Sequence, residues 1–258
     1  MEDWGRLLKE AERALLGGRS GEALRYCERA AVGGGEARYS ASLLRGNILL
    51  EMGDAQGALR AFESVADPDA TDPEIDCARG VALFELARFA EAEAALKSSI
   101  REAPHLAQSY YTLGLIAEFA GKGEEVRWFR QARELAPEKF AHHKQLRNDD
   151  FQSMLEDALT GLPAALAEAL EHIPIVVSEL PLVNDLHQLE PPISPLALAM
   201  LGGAVGVGEN GDERLEPVLF LFKRNIERAF TDRQDMMKAT RHAVIEYFAE
   251  ALGISMEP

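Results

Sequence analysis

His242, Glu246 and Glu250 recur at four-residue intervals near the end of the chain, with Tyr247 beside the second of them. In a helix that spacing places one imidazole and two carboxylates on one face, a set able in principle to hold a metal ion. Two carboxylates with a single imidazole are a poor zinc site and suit harder cations at best. A phenol such as Tyr247, with an ordinary pKa near 10, does not serve as a base at neutral pH. The stripe reads more simply as a solvated or ion-paired helix face. His142-His143 lies in a charged stretch and reads the same way. Cys27 and Cys77 each replace a small apolar residue in a helical pattern, which points to buried thiols. The run Gly202-Gly203-Ala204-Val205-Gly206-Val207-Gly208 lacks both the Rossmann spacing and a Walker lysine, and is expected to be a flexible loop. No nucleophile elbow, zinc ribbon or phosphate loop occurs. No catalytic residue, metal or cofactor is therefore expected.

The elements that would carry these residues follow from composition and periodicity. The 258 residues suffice for two domains, and a composition 47% hydrophobic and 27% charged is that of a globular chain. Abundant alanine, leucine and glutamate favour helix. A net charge of −16 argues against nucleic-acid and anionic-membrane surfaces as partners. The first residues, Met1-Glu2-Asp3-Trp4, do not form a signal peptide, and no apolar run is long enough to span a bilayer. A cytoplasmic location is expected.

The first half repeats. Gly46, Gly80 and Gly114 stand 34 residues apart, and Ala58, Ala92 and Val126 keep the same interval, as do Phe62 and Leu96. Pro104 and Pro137 close successive units, and Gly17-Gly18 marks the turn of a more degenerate hairpin near residues 2–32. Each unit reads as two amphipathic helices that cross closely at small residues. The pattern resembles the tetratricopeptide repeat over residues 1–137. The resemblance implies a groove lined by the first helix of each repeat, with Asn47, Leu50, Val81, Phe84, Tyr111, Leu115 and Phe119 at its groove positions. The family's carboxylate clamp requires lysine and asparagine at several of these places. Only Asn47 matches, so an amphipathic helix or an extended apolar segment is the expected ligand. Periodicity alone leaves each apolar member open to being core instead.

In the second half, Phe151–Leu159 and Ala164–Leu170 read as helices, Ile175-Val176-Val177 and Pro217–Phe222 as strands, and Thr231 or Asp232 as the cap of a last helix ending at Leu252. This order, with Leu159-Thr160-Gly161-Leu162-Pro163, Leu201-Gly202, Phe222–Arg228 and Leu252-Gly253-Ile254, resembles the small bacterial zincin-like metallopeptidases over residues 150–258. That family places His-Glu-x-x-His on its last helix. Aligned on Gly253, the corresponding positions here hold Glu246, Tyr247 and Glu250, and no His-Glu-x-x-His occurs in the chain.

The expectation is a mainly α chain: a tetratricopeptide-repeat solenoid over 1–137, a linker over 138–149, and a small α+β zincin-like domain over 150–258 that lacks the zinc motif. Its function would be non-catalytic protein–protein interaction or regulation, as an adaptor, inhibitor or holding partner. The partner would be another protein or peptide, a protease or its substrate being one such class. The alternative is a metal-dependent peptidase with an atypical site at His242, Glu246 and Glu250. A third reading makes the second domain a structural cap on the repeats.

Overall fold

The computed structural model describes residues 3–66, 71–121, 123–141, 145–162, 164–207 and 213–252. His142-His143, Pro163, Gly208 and Gly253 lie outside them. The chain forms two compact units. One comprises Met1–Ala141 with Leu186–Pro195, the other His142–Asp185 with Leu196–Pro258.

The first unit is built from four helical hairpins: α1 (Trp4–Leu16) with α2 (Ser20–Ala30), α3 (Gly35–Glu51) with α4 (Ala55–Glu63), α5 (Pro73–Glu85) with α6 (Phe89–Glu102), and α7 (Ala107–Ala120) with α8 (Glu125–Leu135). Aspartates start several of them. Asp3 accepts from the Gly5 amide, Asp54 from Gly57, and Asp72 from Glu74 and Ile75, with Pro73 supplying a fixed first turn. Left-handed residues stand at Gly53, Ala87 and Gly121 in the turns of the last three hairpins, so the 34-residue interval continues in backbone conformation; Gly123 is a second one in the last turn.

The glycine ladder marks where the helices of a hairpin meet. A Cβ on Gly46 would fall 2.1 Å from Phe62 Cε1, one on Gly80 2.5 Å from Leu96 Cγ, and one on Gly114 2.6 Å from the Phe129 ring. The third hairpin of this ladder departs from the sequence pattern. Arg130 stands 34 residues after Leu96 but is exposed, and the neighbouring Phe129 ring covers Gly114 instead. Val126, the counterpart of the fully buried Ala58 and Ala92, is exposed.

A buried polar link joins the hairpins. Ser99 and Ser109 share a 2.9 Å hydrogen bond between α6 and the start of α7. Both cysteines are free and buried, and burial pushes the Cys27 thiol up to about 11.

In the second unit, α9 (Asn148–Leu159) and α10 (Ala164–His172) precede β1 (Ile175–Ser178). A single turn, α11 (Val183–Leu186), β2 (Ala199–Val207), β3 (Glu213–Phe222), α12 (Lys223–Ala229) and α13 (Arg233–Leu252) follow. The sheet order is β1-β3-β2, with β1 parallel and β2 antiparallel to β3. Phe151, Met154, Leu219, Leu221, Ile226 and Val244 form its core. Asp232 caps α13 by accepting from the Gln234 and Asp235 amides. Arg241 of α13 donates to the Thr160 and Gly161 carbonyls, both at 2.7 Å, and so holds the turn after α9.

One expectation needs correction. The glycine-rich run from Gly202 to Val207 is part of strand β2, not a loop: it pairs with β3 from Gly202↔Val218 to Val207↔Glu213. The Phe220 ring lies over Gly202, where a Cβ would sit 2.9 Å from it, so this glycine admits an aromatic neighbour. The span 138–149, expected as a linker, makes several contacts among its described residues. Phe140 is buried and stacked on Tyr111 at 4.5 Å, Leu146 donates its amide to Glu227, and Asn148 already begins α9.

A buried ion pair anchors α12. Lys223 Nζ lies 3.4 Å from Glu227 Oε1, with the two side chains 8% and 3% exposed. Two outcomes are expected in chemical denaturation. Glu227→Ala leaves a buried lysine cation and the Leu146 amide without their main partner, and costs about 3–5 kcal/mol. Gly46→Ala forces α3 and α4 apart and costs about 1–3 kcal/mol, whereas Gly21→Ala, at a helical site with open space around it, stabilises by about 0.5–1 kcal/mol.

Candidate functional site

The seven groove positions lie on three first helices: Asn47 and Leu50 on α3, Val81 and Phe84 on α5, and Tyr111, Leu115 and Phe119 on α7. Asn47 is exposed, and Leu50, Val81, Tyr111 and Phe119 are half-buried. Phe84 and Leu115 are buried, the core alternative that periodicity left open for each apolar position. The reason is aromatic packing. The Phe84 ring sits 5.7 Å from Phe89 and 6.4 Å from Phe119, and Phe89 and Phe119 meet at 5.0 Å. Leu115 falls in the middle of α7, whose run from Thr112 to Ala117 is buried all round. Tyr111 is engaged as well, between Phe129 at 5.5 Å and Phe140 at 4.5 Å. The surface left for a ligand is narrower than the seven positions suggest, and centres on Asn47, Leu50, Val81 and the edge of Phe119.

One residue on this stripe escaped sequence reading. Glu85 follows Phe84 and lies one turn after Val81, so it belongs to the same face of α5. Its carboxylate accepts a hydrogen bond from the Ser194 hydroxyl. Burial pushes the Glu85 carboxyl above the usual carboxylate range, and the Ser194 bond pulls in the opposite direction. An acidic residue among apolar neighbours gives no periodic signal, and Ser194 is 109 residues away in sequence.

A second opening, of about 540 Å³, is bordered by Asp3, Arg6, Leu7, Glu10, Tyr26 and Arg29 of the first hairpin. Its charges are mixed, and it carries no nucleophile–base pair.

The C-terminal stripe sits on α13. His242 Nε2 is 3.9 Å from Glu246 Oε2, with both side chains largely in solvent, at 79% and 69% exposure. Tyr247 is half-buried and packs against the core of its unit. Glu250 has its backbone in α13, and its side chain lies outside the described residues. Among the described residues no group of three or more His, Cys, Asp or Glu side chains is placed to share a metal ion. None of the described helices is long and apolar enough to cross a membrane.

No protein-family model matches the chain, and no curated protein does. Its structural neighbours are tetratricopeptide-repeat proteins. MamA 41-end from Desulfovibrio magneticus RS-1 is 27% identical with a TM-score of 0.42, and covers 54% of this chain and 81% of its own. TTC0263, a thermophilic TPR protein in Thermus thermophilus, is 21% identical with a TM-score of 0.48, over 66% of this chain and 91% of its own. YrrB, described as a TPR protein with an unusual peptide-binding site, is 18% identical with a TM-score of 0.40, over 50% and 66%. With TM-scores this low, the hairpin architecture rests on the chain's own ladder of close crossings.

The half-buried Glu85 carboxyl has a pH signature. Its raised pKa means that the folded protein keeps a proton the unfolded chain has released, so the stability it contributes is complete below about pH 4 and is lost as pH rises through the folded value. Glu85→Gln removes that titration. The stability of the variant relative to the parent, measured by denaturant titration, is expected to improve as pH rises above about 4; a difference that does not change with pH would contradict a desolvated Glu85.

Proposed function

We propose that the chain is a non-catalytic protein-binding module, an adaptor, inhibitor or holding partner, whose repeat face takes a peptide segment of another protein. The observation that carries this reading is the half-open stripe along α3, α5 and α7, with Asn47 exposed and Leu50, Val81 and Phe119 half-buried on hairpins locked by glycine crossings. Stacked hairpins bury their faces against neighbours and leave the first helices to present a continuous surface. The free, buried thiols of Cys27 and Cys77 suit a reducing cytoplasm.

The second unit is proposed as a metallopeptidase-like fold without zinc chemistry. Support comes from the residues at the three motif positions, Glu246, Tyr247 and Glu250, and from the solvent-facing His242–Glu246 pair. A cleft of that ancestry can hold a peptide without cutting it, which makes a protease or its substrate a fitting partner class. The competing reading, a metal-dependent peptidase using His242, Glu246 and Glu250, rests on their shared helix face.

Both readings meet direct measurements. Affinity capture with the intact chain is expected to lose its specific partners on Leu50→Asp or Val81→Asp, checked as folded by circular dichroism; unchanged capture by both variants would sink the repeat-face reading. Purified protein is expected to contain no stoichiometric metal. A tightly held ion that disappears on Glu246→Ala would instead establish the peptidase alternative.

A further inference from the structure

Residues Leu186–Pro195 form part of the repeat unit, although the residues on either side of them in sequence belong to the second unit. Identifiable interactions hold this segment. The Ser194 hydroxyl donates to Glu85 on α5. Leu186 is fully buried, and its carbonyl accepts from the Ile193 amide at 3.0 Å, which closes the residues between them into a loop. Pro191, Pro192 and Pro195 fall within these ten residues. Each fixes φ and removes a backbone donor, so the segment gives up little freedom on docking. Glu85 shares its helix face with Val81 and adjoins Phe84, so the docked hydroxyl lies on the stripe where an external peptide would bind.

The geometry points to a recognition site at Glu85 for proline-flanked loop segments that carry a hydroxyl, occupied in the resting chain by its own residues 186–195. The inference rests on the peptide-binding reading of the repeat face, and adds to it a ligand chemistry and an internal competitor. A half-buried carboxyl gains from a donor, and a serine between an aliphatic residue and a proline, as in Ile193-Ser194-Pro195, supplies one from a backbone already close to its bound shape. The same contact discriminates: a phosphorylated serine has no hydroxyl proton left to donate to Glu85, and so loses this bond. Because the internal segment is tethered, an outside ligand sees only the fraction of molecules whose site is open, and its apparent affinity falls by that fraction.

The probe is a fluorescein-labelled peptide of residues 186–195, titrated by anisotropy into the full chain and into full-length Ser194→Ala. Removing a hydrogen bond to a carboxylate from the internal ligand is expected to tighten peptide binding by about tenfold. Hydrogen exchange at the Ile193 amide, closed in the parent, is expected to accelerate in the variant. Peptides with alanine or phosphoserine at the position of Ser194 are expected to bind about tenfold more weakly, or not at all. Equal binding, or none, to both chains overturns the proposal, as does a phosphoserine peptide that binds as well as the unmodified one or an Ile193 amide unaffected by Ser194→Ala. If the peptide fails while partner capture still depends on Leu50 and Val81, the internal ligand is disproved and the repeat-face reading stands. If capture is also indifferent to those residues, both fall.

Discussion

At Gly46, Gly80 and Gly114 the second helix of a hairpin lays a side chain directly onto the backbone of the first. The close approach is possible because no Cβ intervenes, and the distances a Cβ would have, 2.1 to 2.6 Å, show how little room exists. Everything else in the repeat unit depends on it. Close crossing sets how each hairpin stacks on the next, and stacking decides which side chains of α3, α5 and α7 are core and which remain in reach of a ligand. The left-handed residue in each turn serves the same end by reversing the chain within a few residues. Ala87 takes that conformation where Gly53 and Gly121 stand in the other hairpins, at some local strain.

The second unit relies on a different device. Its polar interior is organised from α12, where Lys223 and Glu227 pair in near-complete burial and Glu227 also receives the Leu146 amide. Asn225 donates to the Ala197 carbonyl ahead of β2, and Arg224 reaches Glu179 after β1. A short helix thus gathers the ends of two strands and the approach to α9. Buried charge of this kind specifies an arrangement more than it stabilises one, since each partner is costly without the other.

Much of the repeat half was legible because its constraint is periodic. Glycine at a helix crossing has no substitute, so the interval of 34 residues survives where apolar identity drifts, as at Phe62 and Leu96. The reading weakened where packing could choose between neighbours. In the third hairpin of the ladder the ring of Phe129 does the work that the interval assigns to Arg130, and Val126 is exposed. The separation of groove from core was not written in the periodicity: Phe84 and Leu115 are buried by aromatic neighbours and by the depth of α7. In the second half, a glycine run concealed a strand. Apart from two valines, little in Gly202–Val207 has strand propensity of its own, and its conformation comes from pairing with residues 213–218 of β3. Least legible was the bond between Ser194 and Glu85, which joins two unpatterned residues far apart in the chain.

That bond also has a direction in time. Synthesis runs from the N-terminus, and hairpins made of neighbouring helices need only short loops to close, so α1 to α8 can pack as they emerge. Residues 186–195 leave the ribosome after all of them. For an interval during every molecule's making, Glu85 is therefore in place before the hydroxyl it binds, and the newborn chain differs from the mature one at this contact.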